Sequence, residues 1–381
     1  MAAEDDVISS QPVKHTEDAV SLPYTAPTPN PWSETQPTFR FGVADEKGPR
    51  RTMEDAHTYV FDFAGVSGQG FFAVFDGHAG KEAADWCAKN FHEHLLQQLE
   101  ANPDMHIPDV FNAAFQSVDR HLTKMSNESQ GKIHSGCTAV TAFLRIEDAD
   151  GRQPFSSGLD ATAAIVNSHS PFDRPGPASP GSGGLGADSA KGNNNNSPSA
   201  TPRTQSPTRT THARSNSVST GPVQSPPPGP SLKRTLYVAN AGDARGVLCR
   251  RGRALRLTYD HKGTDKQEAK RIMDSGGFVM SGRVNGVLAV TRSLGDSSMK
   301  EFVVGAPYTT ETELTDDDEF LILACDGIWD VLDDQMAADI VRPIQNVQEA
   351  ANKLIQEATT RYTNDNITCM VIRLKDVTSD Q

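Results

Sequence analysis

Three short apolar runs in this sequence each have an aspartate at one end. Phe71-Phe72-Ala73-Val74-Phe75 runs into Asp76-Gly77-His78, and Phe320-Leu321-Ile322-Leu323-Ala324-Cys325 runs into Asp326-Gly327. Asp365-Asn366 stands immediately before Ile367-Thr368-Cys369-Met370-Val371-Ile372. An apolar run of this length without alternation reads as a strand covered on both faces, which requires material packed above and below the sheet. Further strands are expected at 139–144, 236–241, 254–258 and 286–290. Helices are expected at 81–99, where Cys87, Phe91, Leu95 and Leu99 recur every four residues, and at 108–125, where Phe111, Phe115, Val118, Leu122 and Met125 share a stripe. Asn346 followed by Glu349 marks the start of a helix carrying Ala350, Leu354 and Ala358. This order lacks the regular βαβ alternation of a dinucleotide-binding fold and points to packed sheets flanked by helices.

Two segments depart from that pattern. Residues 1–38 are rich in Pro, Thr, Ser and acids without apolar periodicity, and are expected to be a disordered tail; residues 376–381 form a short C-terminal tail. Residues 151–231 include Asn193-Asn194-Asn195-Asn196, Ser225-Pro226-Pro227-Pro228 and repeated Ser-Pro and Thr-Pro pairs. Such sequence cannot bury enough apolar surface to offset chain entropy, so a disordered insert is expected. Its flanks, 139–144 and 236–241, both read as strands, which makes the insert an enlarged hairpin loop within one domain spanning 39–375; loop-closure entropy grows only slowly with length. Ser206-Pro207 and Thr201-Pro202 match proline-directed kinase sites, and Arg214-Ser215-Asn216-Ser217 a basophilic one. A passive linker produces such short matches equally well.

The net charge of −13 comes without a Lys/Arg-rich tract, which argues against a nucleic-acid partner. Five dispersed cysteines with no C-x-x-C pair read as reduced thiols, no apolar run is long enough to span a bilayer, and MAAEDDVISS lacks the features of a secretory signal. A cytoplasmic protein, also present in the nucleus, is expected. Its acidic surface permits a monomer.

An aspartate at a strand end is, taken singly, most often a turn or cap residue. Three in one chain suggest convergence. Carboxylates ~4 Å apart repel by on the order of 4 kcal/mol per pair at an effective dielectric near 20, a penalty that hard divalent cations remove. An oxygen-only ligand set favours Mg²⁺ or Mn²⁺ over zinc. A glycine after the aspartate is expected to let the chain turn sharply and to leave a carbonyl open. Arg50-Arg51-Thr52-Met53-Glu54-Asp55 adds a guanidinium able to grip phosphate oxygens beside two more acids; alone, the segment reads equally well as an exposed basic pair before a helix-start acid pair. His78 adds a residue type suited to proton donation near neutral pH.

FFAVFDGHAG, RRTMEDAH, SGCTAV, VANAGDARGVL, VNGVLAVTRSLGD, FLILACDGIWDVL and TNDNITCMVI together resemble the motifs of metal-dependent type 2C protein serine/threonine phosphatases, the PPM family, and most closely its short fungal members. The resemblance covers roughly 39–375 apart from the insert. It implies an α+β fold, a four-layer α-β-β-α sandwich of two antiparallel sheets flanked by helices, with a two-metal centre at one edge. By motif, Asp76 bridges two Mg²⁺ or Mn²⁺ ions, the Gly77 carbonyl serves one, and Asp326 and Asp365 serve the other. Glu54 joins through water with Asp55 in support, Asp243 marks a weaker third site with Thr138 near it, and Asn366 is a further supporting residue. Arg50 matches the phosphate-binding arginine and His78 the general acid, while 259–296 matches a flap that shapes substrate access. The implied reaction is hydrolysis of phosphoserine or phosphothreonine in proteins by a water bridging the metals. Phosphoprotein substrates, activated signalling kinases among them, are the expected partners.

Rival readings fare less well. A cysteine-based phosphatase needs an arginine six positions after its cysteine, and none of the five has one. Asp148-Ala149-Asp150, the tempting D-x-D of a haloacid-type hydrolase, opens the insert. A non-catalytic scaffold that docks partners through the insert would show no metal-dependent activity.

Overall fold

The computed structural model describes residues 38–66, 68–129, 132–148, 150–153, 166–169 and 232–374. Strands β1 (Arg40–Glu46), β2 (Ala56–Phe61) and β3 (Gly70–His78) come first, followed by helices α1 (Glu82–Ala101) and α2 (Ile107–Glu128). Next come β4 (Gly136–Glu147), β5 (Val166–His169), β6 (Lys233–Ala241), β7 (Arg245–Arg250) and β8 (Arg253–Arg256). Then follow α3 (Lys266–Asp274), β9 (Val279–Met280), β10 (Arg283–Val284), β11 (Leu294–Gly295), β12 (Tyr308–Glu313) and β13 (Asp318–Ala324). The described chain closes with α4 (Asp326–Trp329), α5 (Asp334–Val341), α6 (Val347–Thr360) and β14 (Ile367–Arg373).

The strands build two large antiparallel sheets, and β9 and β10 pair as a separate two-stranded ribbon. One large sheet has the order β12-β6-β4-β3-β2-β5, with β11 added beside β4; the other has the order β1-β14-β13-β7-β8. Alternation within the apolar runs explains the layers, because successive side chains of a strand point to opposite faces. Phe71, Ala73 and Phe75 pack with Phe91, Leu95, Phe111 and Phe115 of α1 and α2. Phe72 and Val74 instead meet Leu321, Leu323, Met370 and Ile372 of the second sheet. On the far side, Phe320, Ile322 and Val371 pack with Ala337, Val341, Ala350 and Leu354 of α5 and α6. The layers therefore run helices, sheet, sheet, helices, and the four-layer α+β sandwich is observed.

α1 and α2 fall where the four-residue spacing placed them, and the Asn346 side chain caps α6 by accepting from the Gln348 and Glu349 amides. β4 and β6 pair directly, Ala139 opposite Ala241 and Glu147 opposite Lys233. Three differences stand out. Thr38, assigned to the tail, is buried and donates its hydroxyl to the Gly68 carbonyl, so it belongs to the packed domain. Val166–His169, inside the expected insert, pairs as β5 along the outer edge of β2. The strand expected at 286–290 is absent: Asn285 and Gly286 both have positive φ, and the Val287 amide donates to the Val284 carbonyl. This is the tight turn that an Asn-Gly pair favours. The expected tail through 37, residues 154–165 and 170–231 of the insert, and 375–381 lie outside the described residues. All five cysteines are free and buried, and no helix among the described residues is long and apolar enough to cross a membrane.

Candidate metal centre

One edge of the sandwich gathers the acidic residues. Asp76 lies near the end of β3, opposite Thr138 of β4, and Asp55 immediately precedes β2, the neighbouring strand. Asp326 opens α4 just after β13, Asp365 leads into β14, and Asp243 sits in the turn where the chain passes from β6 in one sheet to β7 in the other. Oxygens of Asp55 and Asp76 and the Cys325 sulfur lie within 4.8 Å of one another.

The carboxylates of this edge feel one another. Burial, then the charges of Asp326, Asp55, Asp243 and Asp365, hold the Asp76 carboxyl well above the usual carboxylate range. Asp326 is pushed up to about 8 by burial and by Asp243, Asp330 and Asp365, with Lys262 opposing. Burial raises Asp55 to about 6 despite the hydrogen bond its Oδ2 accepts from Thr368 Oγ1 at 2.7 Å, and burial raises Asp243. Such groups ionise together only when positive charge is supplied. Asp55 Oδ1 is buried with no hydrogen-bond partner among the described residues, which suits a site that expects a cation or the water around one. Cys325 does not change the ligand chemistry: burial and the nearby aspartates raise its thiol well above the ordinary range, and its sulfur already engages the Thr368 amide and the Asn366 carbonyl. A protonated thiol is a poor ligand, so the donor set remains oxygen and suits hard divalent ions.

The glycines after Asp76 and Asp326 serve a different purpose from the one expected. Neither has a positive φ. A Cβ on Gly77 would overlap the Glu54 carbonyl oxygen, and one on Gly327 would overlap the Asn366 carbonyl oxygen. Close approach of neighbouring segments, and not a sharp turn, is what excludes a side chain at both positions.

Around this core, Asn366 secures the loop that carries Arg50 and Glu54. Its Nδ2 donates to the Lys47 and Thr52 carbonyls at 2.8 and 3.0 Å, and its Oδ1 accepts from the Glu54 amide at 2.8 Å. The Glu54 carboxylate accepts from Thr52 Oγ1 at 3.0 Å and from the Gly80 amide at 3.4 Å. Arg50 is mostly exposed and donates from Nη2 to Asp365 Oδ2 at 2.6 Å and from Nε to the Asn364 carbonyl at 3.1 Å. Thr138 is buried, with its hydroxyl unpartnered among the described residues. His78, one-quarter exposed, places Nε2 2.7 Å from Asp296 Oδ2.

Three residues at this edge escaped the sequence reading. Asp330 lies four positions after Asp326, a spacing that could have flagged it. Lys262 places Nζ 3.2 Å from Asp243 and 3.3 Å from Asp330, an internal cation between two acids, and no pattern in the sequence announces it. Asp296 follows Leu294-Gly295, a short echo of the strand-end signature.

Comparison with known proteins settles the family. The sequence profile described as "Protein phosphatase 2C" matches residues 39–149 and 209–367. The chain belongs to the protein phosphatase 2C family. It is 38% identical over 340 residues to "Protein phosphatase 2C homolog 1" of Saccharomyces cerevisiae, covering 88% of this chain and 94% of that protein. It is 35% identical over 353 residues to "Protein phosphatase 2C homolog 1" of Schizosaccharomyces pombe, covering 92% and 77%. Among solved structures, a C. elegans sex determining protein superposes with a TM-score of 0.62 at 21% identity, over 91% of this chain and 66% of that one. A phosphatase from Toxoplasma gondii superposes with a TM-score of 0.57, also at 21% identity, over 89% and 96%. At those identities the structures speak to the fold alone. The family makes this chain an enzyme, a serine/threonine phosphatase of a metal-dependent class.

Proposed function

We propose that this phosphatase hydrolyses phosphoserine and phosphothreonine in protein substrates, with two Mg²⁺ or Mn²⁺ ions held at the sandwich edge, and that it acts in intracellular signalling. The observation that carries this reading is the convergence of Asp76, Asp326, Asp243 and Asp55, largely buried carboxylates that repel one another, with the partly exposed Asp365 beside them and, among the described residues, only Lys262 and Arg50 as nearby protein cations.

Asp76, the Gly77 carbonyl, Asp326 and Asp365 would hold the two ions, Glu54 and Asp55 would support them through water, and Asp243 with Asp330 would offer a weaker third position. Divalent ions in this cluster supply the positive charge that activates water and neutralises phosphoryl oxygens. The protein's own groups do the rest. Arg50, at the exposed rim, turns its guanidinium from Asp365 to the phosphoryl oxygens, a planar fork meeting a planar pair of acceptors. His78 donates a proton to the departing seryl or threonyl oxygen. Asn366 keeps the Arg50 and Glu54 loop against the core.

Phosphate release from a phosphothreonine peptide tests the reading. Activity is expected to vanish with EDTA and to return with Mn²⁺ or Mg²⁺, and Asp76→Asn and Asp326→Asn are each expected to lose more than about 100-fold, the scale of losing a principal charge-stabilising group. Undiminished metal-dependent turnover in either variant would sink the assignment.

A further inference from the structure

Three neighbouring strands bring one carboxylate to His78. In register, His78 of β3 stands opposite Gly136 of β4, and Gly136 in turn stands opposite Gly295 of β11. Asp296 follows directly, and its Oδ2 lies 2.7 Å from His78 Nε2. The middle position is empty of side chain for a reason: a Cβ on Gly136 would overlap the Asp296 carboxyl group. The missing side chain at Gly136 is the slot through which Asp296 reaches the imidazole.

The carboxylate is held from several directions. Asp296 is buried and adopts the left-handed conformation (φ 47°), which aspartate tolerates better than most residues. The Ser293 hydroxyl donates to the same Oδ2. The Gly295 amide donates to Asp119 Oδ1 of α2 at 3.0 Å, while Lys300 binds Asp119 at 2.7 Å and the Ser293 carbonyl at 3.0 Å. Orientation of Asp296 is therefore fixed by a helix on the outer layer and by the strand it follows.

We infer that Asp296 is the positioning residue for His78, and that the proton given to the leaving oxygen departs from Nδ1. This rests on the reading of His78 as proton donor. With Nε2–H donating to Asp296, the ring cannot rotate freely, and Nδ1 is the nitrogen left for the substrate. As the bond from phosphorus to the seryl oxygen breaks, its electron pair stays on that oxygen. The oxygen takes the Nδ1 proton, leaving a neutral imidazole whose Nε2–H still faces Asp296. The arrangement follows a general rule: a carboxylate fixes the tautomer and direction of an imidazole that works through its other nitrogen.

The test compares two substrates with the Mn²⁺-loaded full chain. A phosphoserine peptide has a poor leaving group that needs the proton, whereas p-nitrophenyl phosphate has a good one that does not. Asp296→Asn is expected to lower kcat on the peptide by roughly 10- to 100-fold, within the range of general acid catalysis. The loss on the aryl phosphate should be at least tenfold smaller, with KM for the peptide little changed. Gly136→Ala, which removes no polar group, should give the same selective loss by blocking the slot. Asp296→Glu should recover part of it, and combining Asp296→Asn with His78→Gln should be no worse than His78→Gln alone. In the metal-free protein, ¹⁵N shifts of His78 should report Nε2–H in the wild type and a mixture of tautomers in Asp296→Asn. Equal losses on both substrates, or wild-type ¹⁵N shifts in Asp296→Asn, would overturn the role of Asp296 while His78→Gln still shows selective loss. If His78→Gln shows no selectivity, the proton-donor reading itself falls, and this inference with it.

Discussion

The Glu54 carbonyl oxygen rests against the α-carbon of Gly77, in the space a β-carbon would fill. That contact joins the strand bearing Asp76 to the loop bearing Glu54 and Asp55. Gly77→Ala should push the two segments apart without requiring a forbidden backbone angle, because Gly77 has no positive φ. Overpacking of this kind costs about 1–3 kcal/mol. We expect a folded protein by circular dichroism, destabilised by that amount in urea, with Mn²⁺ affinity at least tenfold weaker by calorimetry. Wild-type affinity would show that the contact does not set the ligand geometry.

Arg50 and Asp365 form an exposed pair at 2.6 Å, with Asp365 less accessible than its partner. The pair must open for the guanidinium to meet a phosphoryl group, and at such exposure its own contribution to stability is small. Arg50→Ala should therefore leave the melting temperature nearly unchanged. It should lower kcat/KM for a phosphopeptide by roughly 10- to 100-fold, the range for a charged hydrogen bond of about 1.5–3 kcal/mol. Arg50→Lys should recover only part of this, since an ammonium lacks the fork. Full recovery by lysine would show that charge alone matters there.

How far the sequence was readable follows from these residues. Asp76, Asp326 and Asp365 were visible because each stands at one end of an apolar run, and a run of that length leaves few places to go but a buried strand. The sandwich followed from strand alternation and helix spacing. Asp330, Lys262 and Asp296 were missed because they come from polar turns, where side-chain position depends on how distant segments cross. Gly77 and Gly327 were recognised as necessary for the wrong reason: a turn is a local property, whereas contact with the Glu54 and Asn366 carbonyls joins residues far apart in the chain. The apolar stretch at 286–290 read as a strand because its composition outweighed the Asn285-Gly286 turn beside it.

Crowded acids make the centre a place where function and stability oppose one another. In metal-free protein, Asp326 sits in the field of Asp243, Asp330 and Asp365, and Asp76 feels Asp326 most strongly of its charged neighbours. Asp326→Asn removes one member of that set at nearly constant volume. The EDTA-treated variant should melt higher than EDTA-treated wild type, by about 1–2 °C for each kcal/mol of strain relieved in a protein of this size. Addition of Mn²⁺ should raise its melting temperature less than it raises that of wild type. Scanning calorimetry with and without metal gives all four values, and a variant that melts lower in EDTA would contradict burial and mutual repulsion as a cost carried by Asp326.

A second cluster, built around Glu268 of α3, should govern stability in acid. Glu268 is buried, and burial acts to raise its carboxyl. Hydrogen bonds from Arg292, Arg271 and Thr291 outweigh that and bring it down to about 2 from an ordinary 4.5. An acid depressed in the folded state stabilises fully above its unfolded value, and that stability is lost as pH falls through the folded one. The unfolded chain binds more protons between about 4.5 and about 2, so unfolding free energy should decline across that window, by on the order of 3 kcal/mol. His261 adds to the trend at higher pH. Burial and then Arg292 lower it to about 4, so the unfolded state takes up its proton first as pH falls from 6.5. Glu268→Gln should flatten the lower window and leave the two arginines without their anion, costing about 3–5 kcal/mol at neutral pH. Urea titrations between pH 2 and pH 7 would resolve both windows. Hydrogen exchange should place the first loss of protection in residues 259–296, since Glu268 ties α3 to Thr291 and Arg292 at the far end of that segment.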